Sequence, residues 1–220
     1  SVITNVSNVT TLNSEWKIDG MSHAYIYVNG GHARVIASFL DADVTFLVDG
    51  PAIAPDELSQ HVFQDNFADF AGDIYIGVGA NAPRTRIFHL LTKLGRPPAV
   101  CVAPTAFVAR DATLGAGALI CAGAVVGAGA RIGANTIVNT LSSVDHDCHV
   151  GDHSQITVGV TIGGTVTIGE NCFFGMKSAV LPNTTIGNNV QVRAGSVVTK
   201  SVPEDVLVGG IPASLVRRLV

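Results

Sequence analysis

A step of six residues runs unbroken through the second half of the chain. From Val102 to Val198 every sixth residue is aliphatic, with Phe174 the single exception and no insertion anywhere. Four residues after each of these lies a second series, from Ala106 and Ala112 through Cys148 and Ser154 to Val202. Every member of it is small or β-branched. Residues two apart on a strand point to the same side. A large aliphatic and a small residue therefore face one interior every six residues, and the two residues between short strands form a turn. Three such hexads close a triangular coil whose backbone bonds to the next coil about 4.8 Å away. This periodicity predicts a mainly β protein built on a parallel β-helix over 99–202. A repeat of this length leaves little room for any other architecture.

The first half differs in kind. Ala24–Val28, Val44–Val48 and Ile74–Val78 read as buried strands. Ala33–Leu40 and Ala82–Leu94 read as helices, the second with Pro83 in its first turn. Pro55–Val62 reads as a further short helix. Strands alternating with helices predict a small Rossmann-like parallel α/β domain over 21–98, joined to the β-helix through Gly95-Arg96-Pro97-Pro98. Residues 1–20 read as an extension of unassigned role. Residues 203–220 leave the repeat and read as a capping loop and short basic helix.

Composition excludes several functions. The formal net charge is −4 with no basic run, which argues against nucleic acid as a partner. No stretch of about 18 apolar residues exists, which argues against a membrane span. The four cysteines, 101, 121, 148 and 172, lack metal-ligand spacing and read as free thiols of a reducing cytoplasm.

Stacking residues by coil brings out one corner. His146 and Asp147 fill the two turn positions of their hexad and project outward. Ala128-Gly129 lies one coil before and Gly164-Thr165 one coil after, so the pair stands on an edge free of bulk. Nothing structural demands an imidazole there. His146 is the candidate general base, with Asp147 the carboxylate able to raise its pKa and fix its tautomer. Gly164 would let a thin, extended ligand approach the backbone. A stripe of Leu119, Ile137, Gln155, Phe173 and Gln191 reads as an exposed subunit interface starting at this corner. His146, His149 and His153 have a spacing that suits metal on a helix, but on a β-helix they diverge. A metal site would need two subunits. Cys148 points into the core and reads as a packing residue.

Four segments carry a resemblance. They are Tyr25-Ile26-Tyr27-Val28-Asn29-Gly30-Gly31-His32-Ala33-Arg34-Val35, Ile76-Gly77-Val78-Gly79-Ala80-Asn81 with Arg84, Asn139 through Cys148, and Gly209-Gly210-Ile211-Pro212-Ala213. Together they resemble the sugar O-acyltransferases of the sialic-acid O-acetyltransferase type. That group includes the N-acetyltransferases of nucleotide-linked 4-amino-4,6-dideoxy sugars of the bacillosamine and perosamine type. The resemblance covers roughly residues 23–220.

It implies a left-handed β-helix, a homotrimer and active sites between subunits. It implies acetyl-CoA as co-substrate, no metal, and a nucleotide sugar as acceptor. By the same resemblance His146 and Asp147 are catalytic. Gly30, Gly31, His32, Asp49, Gly79, Asn81 and Asn139 would bind the nucleotide sugar, and Gln155, Gly164, Met176, Ala194 and Gly195 acetyl-CoA. Two residues depart from the family pattern: Val28 stands where glycine is usual, and Gln155 where histidine is frequent. Gln155 can still donate to a thioester carbonyl through its amide. O-acetylation of a sugar of the sialic-acid type is the alternative activity. A metal-dependent or non-catalytic β-helix is the reading from another class.

Overall fold

The computed structural model describes residues 23–28, 30–48, 57–59 and 71–219. The chain forms two compact units, residues 1–77 and 78–220.

In the first unit, strands β1 (His23–Tyr27), β2 (Asp43–Val48), β3 (Glu57–Ser59) and β4 (Asp73–Ile76) form one sheet in the order β3-β2-β1-β4. Every pairing is parallel. Strands covered on both faces read as continuous apolar runs, and Ala24, Tyr25, Ile26 and Tyr27 are all buried. Helix α1 (Gly31–Ala37) buries Ala33 and Ile36, three positions apart on one face. Gly77 makes this packing possible, since a Cβ there would lie 2.5 Å from the Ala33 Cβ. Glu57–Ser59 is a strand rather than part of the helix expected over 55–62. It pairs with β2, Phe46 opposite Glu57, and supplies hydrogen-bond partners to an edge that would otherwise lack them. The other residues of 55–62 lie outside the described residues.

The second unit begins with helix α2 (Asn81–Lys93) and continues into the repeat. Seventeen two-residue strands, from β5 (Cys101–Val102) to β21 (Val197–Val198), recur at six-residue intervals and stack into three parallel sheets. Each coil pairs with the residue 18 positions on: Thr113 with Arg131, Arg131 with His149, His149 with Thr167. The result is a parallel β-helix of hexapeptide repeats.

Its three corners lie at 110–111, 128–129, 146–147, 164–165 and 182–183 (first), at 116–117 to 188–189 (second) and at 104–105 to 194–195 (third). At most corners the second residue takes a left-handed conformation, which favours Gly, Asn and Asp; Gly129, Asn135, Asp147 and Asn171 are examples. The aliphatic ladder fills the interior, with Ile120, Val138, Ile156, Ile162 and Phe174 fully buried. The smaller series is buried beside it. Several of its polar members donate across the coil, Thr136 Oγ1 to the Gly151 carbonyl at 2.9 Å and Ser154 Oγ to the Gly169 carbonyl at 3.1 Å, whereas the buried Ser178 Oγ has no hydrogen-bond partner.

Three further expectations change. The expected junction at residues 95–98 is not where the units divide: the division precedes α2, because Arg84 of α2 bonds to carbonyls of the β-helix. The stripe read as a subunit interface is in its first part the seat of α2. Leu119, Ile137 and Gln155 are buried, and the Phe88 ring meets His153 edge-on at 5.2 Å. Only Phe173 and Gln191 stay exposed. These residues lie on the face between the second and third corners, and do not start at the His146 corner. Finally, where a loop and helix were expected over 203–220, residues 206–218 form a hairpin. Strand β22 (Val206–Gly210) pairs parallel with β20 (Gln191–Val192) and antiparallel with β23 (Ala213–Arg218). The last coil presents unpaired backbone groups, and Val206 and Val208, alternating into the core, let a strand satisfy them.

No helix of the described residues is long and apolar enough to cross a membrane. Truncating the ladder leaves a cavity that rigid coils cannot close. Ile156→Ala is expected to lower stability by about 2–5 kcal/mol in chemical denaturation, with the pH dependence of any bound state unchanged.

Candidate active site

The corner at 146–147 holds a two-residue turn between strands β12 (Ser143–Val144) and β13 (His149–Val150). The Asp145 carboxylate accepts the His146 backbone N–H at 2.8 Å and fixes the start of the turn. Asp147 takes φ 57°. This backbone setting turns its carboxylate back toward its neighbour, although adjacent turn side chains ordinarily diverge. Asp147 Oδ2 lies 2.8 Å from His146 Nδ1. A carboxylate only accepts, so Nδ1 carries the proton and Nε2 keeps the free lone pair. The side chains are 57% and 67% exposed.

Glycines at three places make room for the pair. A Cβ at Gly127 would meet the His146 backbone nitrogen at 2.7 Å, and one at Gly129 the Asp147 Oδ1 at 2.8 Å. A Cβ at Gly164 would lie 2.5 Å from Nε2 and 2.7 Å from Cε1 of His146. The space over Gly164, expected to admit an extended ligand, is therefore filled by the imidazole itself. Gly164 is the seat of the ring.

The hydrogen bond that His146 donates to Asp147 raises the His146 pKa above its ordinary value, and the charge of Asp145 adds to it. Asp145 thus belongs to the site, although the sequence offered only its place beside the histidine as a signal. Cys148 is fully buried and its thiol pKa is pushed up by burial. It donates to the Gly163 carbonyl at 3.1 Å, an arrangement that suits packing and not nucleophilic attack.

The other expected site residues are spread around the prism. Asn139 sits at the third corner, where its Oδ1 accepts the Thr140 N–H at 2.8 Å. Met176, Ala194 and Gly195 also lie at the third corner, with Met176 exposed. Gln155 is buried on the face between the second and third corners. Gly79 and Asn81 belong to the segment at the start of α2, held against the second corner. One chain therefore gathers His146, Asp147 and Gly164, and does not bring Asn139, Gln155, Met176, Ala194 or Gly195 to them.

Of the residues in the first unit, Gly30 and Gly31 open α1 and have free space where a Cβ would stand. His32 lies within α1. Val28 precedes this loop with φ 74°, the conformation in which glycine is at ease and a β-branched residue is strained. Val28 thus keeps a glycine-like backbone setting. Asp49 lies outside the described residues. His149 stands on a face and His153 at the second corner, so the three histidines of the 146–153 segment diverge. No group of three His, Cys, Asp or Glu side chains among the described residues is placed to hold a metal ion.

Comparison with known proteins identifies the repeats. Residues 165–200 match the family described as bacterial transferase hexapeptide (six repeats), and residues 110–140 the hexapeptide repeat of succinyl-transferase. Among proteins of curated function none matches the chain in sequence. Solved structures match it over most of its length. The acetyltransferase domain of PglB from Neisseria gonorrhoeae is 29% identical with a TM-score of 0.82, covering 88% of this chain and 99% of that one. The same domain is known in complex with acetyl coenzyme A. A histidine-to-alanine variant of GDP-perosamine N-acetyltransferase from Caulobacter crescentus, in complex with CoA and GDP-perosamine, is 27% identical with a TM-score of 0.81. That match covers 88% of this chain and 96% of that one. WeeI from Acinetobacter baumannii, 22% identical with a TM-score of 0.72, shares the fold, covering 89% of this chain and all of that one.

An NMR titration of the His146 ring is expected to give a midpoint above the ordinary histidine value of about 6.5. Asp147→Asn moves it downward. An unmoved midpoint would exclude the carboxylate as the cause. Gly164→Ala drives the ring from its seat and breaks the Nδ1 bond, so the same downward movement is expected from a substitution that leaves both partners in place.

Proposed function

We propose that this chain, a hexapeptide-repeat acyltransferase, moves an acetyl group from acetyl-CoA to the 4-amino group of a nucleotide-linked 4-amino-4,6-dideoxy sugar, in surface-glycan biosynthesis. The observation that carries the reading is the exposed His146–Asp147 pair, with one nitrogen held by a carboxylate and the other open. Its support from outside the chain is the likeness, at 27–29% identity over nearly nine-tenths of the sequence, to acetyltransferases solved with acetyl-CoA or with CoA and GDP-perosamine.

The chemistry follows from that pair. The neutral amine nitrogen of the sugar attacks the thioester carbon. His146 Nε2 takes the proton that the amine loses, and Asp147 stabilises the imidazolium that forms. The C–S bond breaks, and the proton returns from Nε2 to the departing CoA thiolate. Amide and free thiol are the products, with no net proton gained. Backbone N–H groups supply donors to the oxyanion; Gln155, buried on the face where α2 is seated, is not placed to do so. No acyl-enzyme is required, since Cys148 is buried and no other thiol among the described residues is exposed.

The division of site residues between corners favours a homotrimer with left-handed coils. In it the His146 corner of one copy faces the third corner of the next, and Asn139, Met176, Ala194 and Gly195 complete the site. An exposed apolar row at that corner and its face, Phe107, Val125, Leu141, Val158 and Met176, is consistent with such burial. Gly30, Gly31, His32, Asp49, Gly79 and Asn81 are assigned to the nucleotide sugar. A sugar hydroxyl would use the same base, so the acceptor decides between N- and O-acetylation.

His146→Ala is expected to lower kcat by about 100-fold or more while acetyl-CoA still binds, measured by turnover and calorimetry with UDP-, GDP- and dTDP-linked amino sugars. Unchanged kcat would refute the role. In the parent protein kcat/KM falls as pH drops through the raised His146 pKa, because protonation removes the base.

A further inference from the structure

Arg84 lies in the first turn of α2 and is 1% exposed. Its guanidinium reaches three stretches of backbone at once. Nη1 donates to the Gly79 carbonyl at 2.5 Å, ahead of the helix. Nε donates to the Asn135 carbonyl at 3.0 Å, at the second corner. Nη2 donates to the His153 carbonyl at 2.9 Å and the Ser154 carbonyl at 3.3 Å, one coil on. The same nitrogen donates to Asn81 Oδ1 at 3.0 Å. All these acceptors are neutral, so the cation is held by carbonyl dipoles. Burial lowers its pKa to about 10, which still leaves it charged near neutrality.

A surface helix needs no buried cation to dock, and an apolar side chain would fill the position at less desolvation penalty. What a guanidinium adds is direction. Its planar fork fixes several acceptors in one geometry, which a lysine ammonium cannot do. Here the fixed group is the Gly79-Ala80-Asn81 loop. Asn81 is locked from both ends, since its Nδ2 also donates to the Cys172 carbonyl at 3.2 Å and to Asn171 Oδ1 at 3.4 Å. Its amide is thus engaged within the protein, and the loop is left to meet a ligand through its backbone.

We infer that Arg84 is a positioning residue. It holds the Gly79–Asn81 loop in the shape that receives the nucleotide sugar, and touches neither substrate. This rests on the reading above that Gly79 and Asn81 serve the nucleotide sugar.

The test uses Arg84→Met and Arg84→Lys in the full chain. KM for the nucleotide amino sugar is expected to rise roughly tenfold or more in the Met variant and less in the Lys variant. KM for acetyl-CoA and kcat at saturation stay within about twofold. Equal changes for both substrates, or none, would overturn the inference. Hydrogen exchange separates it from the functional reading. Backbone amides of 79–82 are expected to exchange at least about tenfold faster in the variants, with the amides of 137–162 still protected. If no nucleotide amino sugar is acetylated by the parent protein, the functional reading fails, and exchange alone decides whether Arg84 holds the loop. Loss of protection through the coils, or unchanged exchange at 79–82, would sink it. If the Met variant does not fold, the Lys variant carries the comparison.

Discussion

The coil-to-coil register governs everything else in the second unit. Each strand of the repeat is only two residues long, too short to hold itself, and its hydrogen bonds run to the coils on either side. Ile132 faces Leu114 and Val150, and Thr113 N bonds to the Ala130 carbonyl at 3.0 Å. A one-residue slip would turn the aliphatic ladder outward and the polar face inward. The unbroken step of six prevents it. Glycine after the ladder position serves the same end, since a Cβ at Gly151 would meet the Gly169 carbonyl carbon at 2.6 Å. Stacking at this distance leaves no room for a side chain between coils.

A rigid prism is also what makes an exposed dyad usable. His146 and Asp147 stand well out in solvent, where a lone ion pair between flexible side chains is worth little. Their order comes from the corner. The left-handed setting of Asp147 aims the carboxylate, Asp145 pins the backbone, and Gly164 on the next coil bounds the ring from below. The imidazole is thus oriented by backbone geometry and by the absence of side chains, and stays open to solvent on the nitrogen that would work.

Helix α2 completes the unit by a different device. It covers the face bearing Leu119 and Ile137 and is tied down by a buried arginine whose acceptors are mostly backbone carbonyls. His153 contributes twice at that seat, through its carbonyl and through a ring that meets Phe88 edge-on and accepts from Asn135 Nδ2 at 2.8 Å. Burial holds the His153 pKa below its ordinary value, with Asp152 opposing. The sequence gives His153 no such role, because Arg84 and Phe88 reach it from a helix more than sixty residues earlier.

The amino-acid sequence alone determined the β-helix, its coil length and the outward corner position of His146 and Asp147. All three follow from a local period that each hexad repeats. It also marked the strands of the first unit, whose apolar runs stand clear of their neighbours. Tertiary structure decided the rest, since those features join residues far apart in the chain. Glu57–Ser59 became a strand because β2 offered an edge, and 206–218 a hairpin because the last coil did. Leu119 and Ile137 looked like an exposed stripe until α2 lay across them. Gly164 looked like bare backbone until the ring of the coil before it came to rest there.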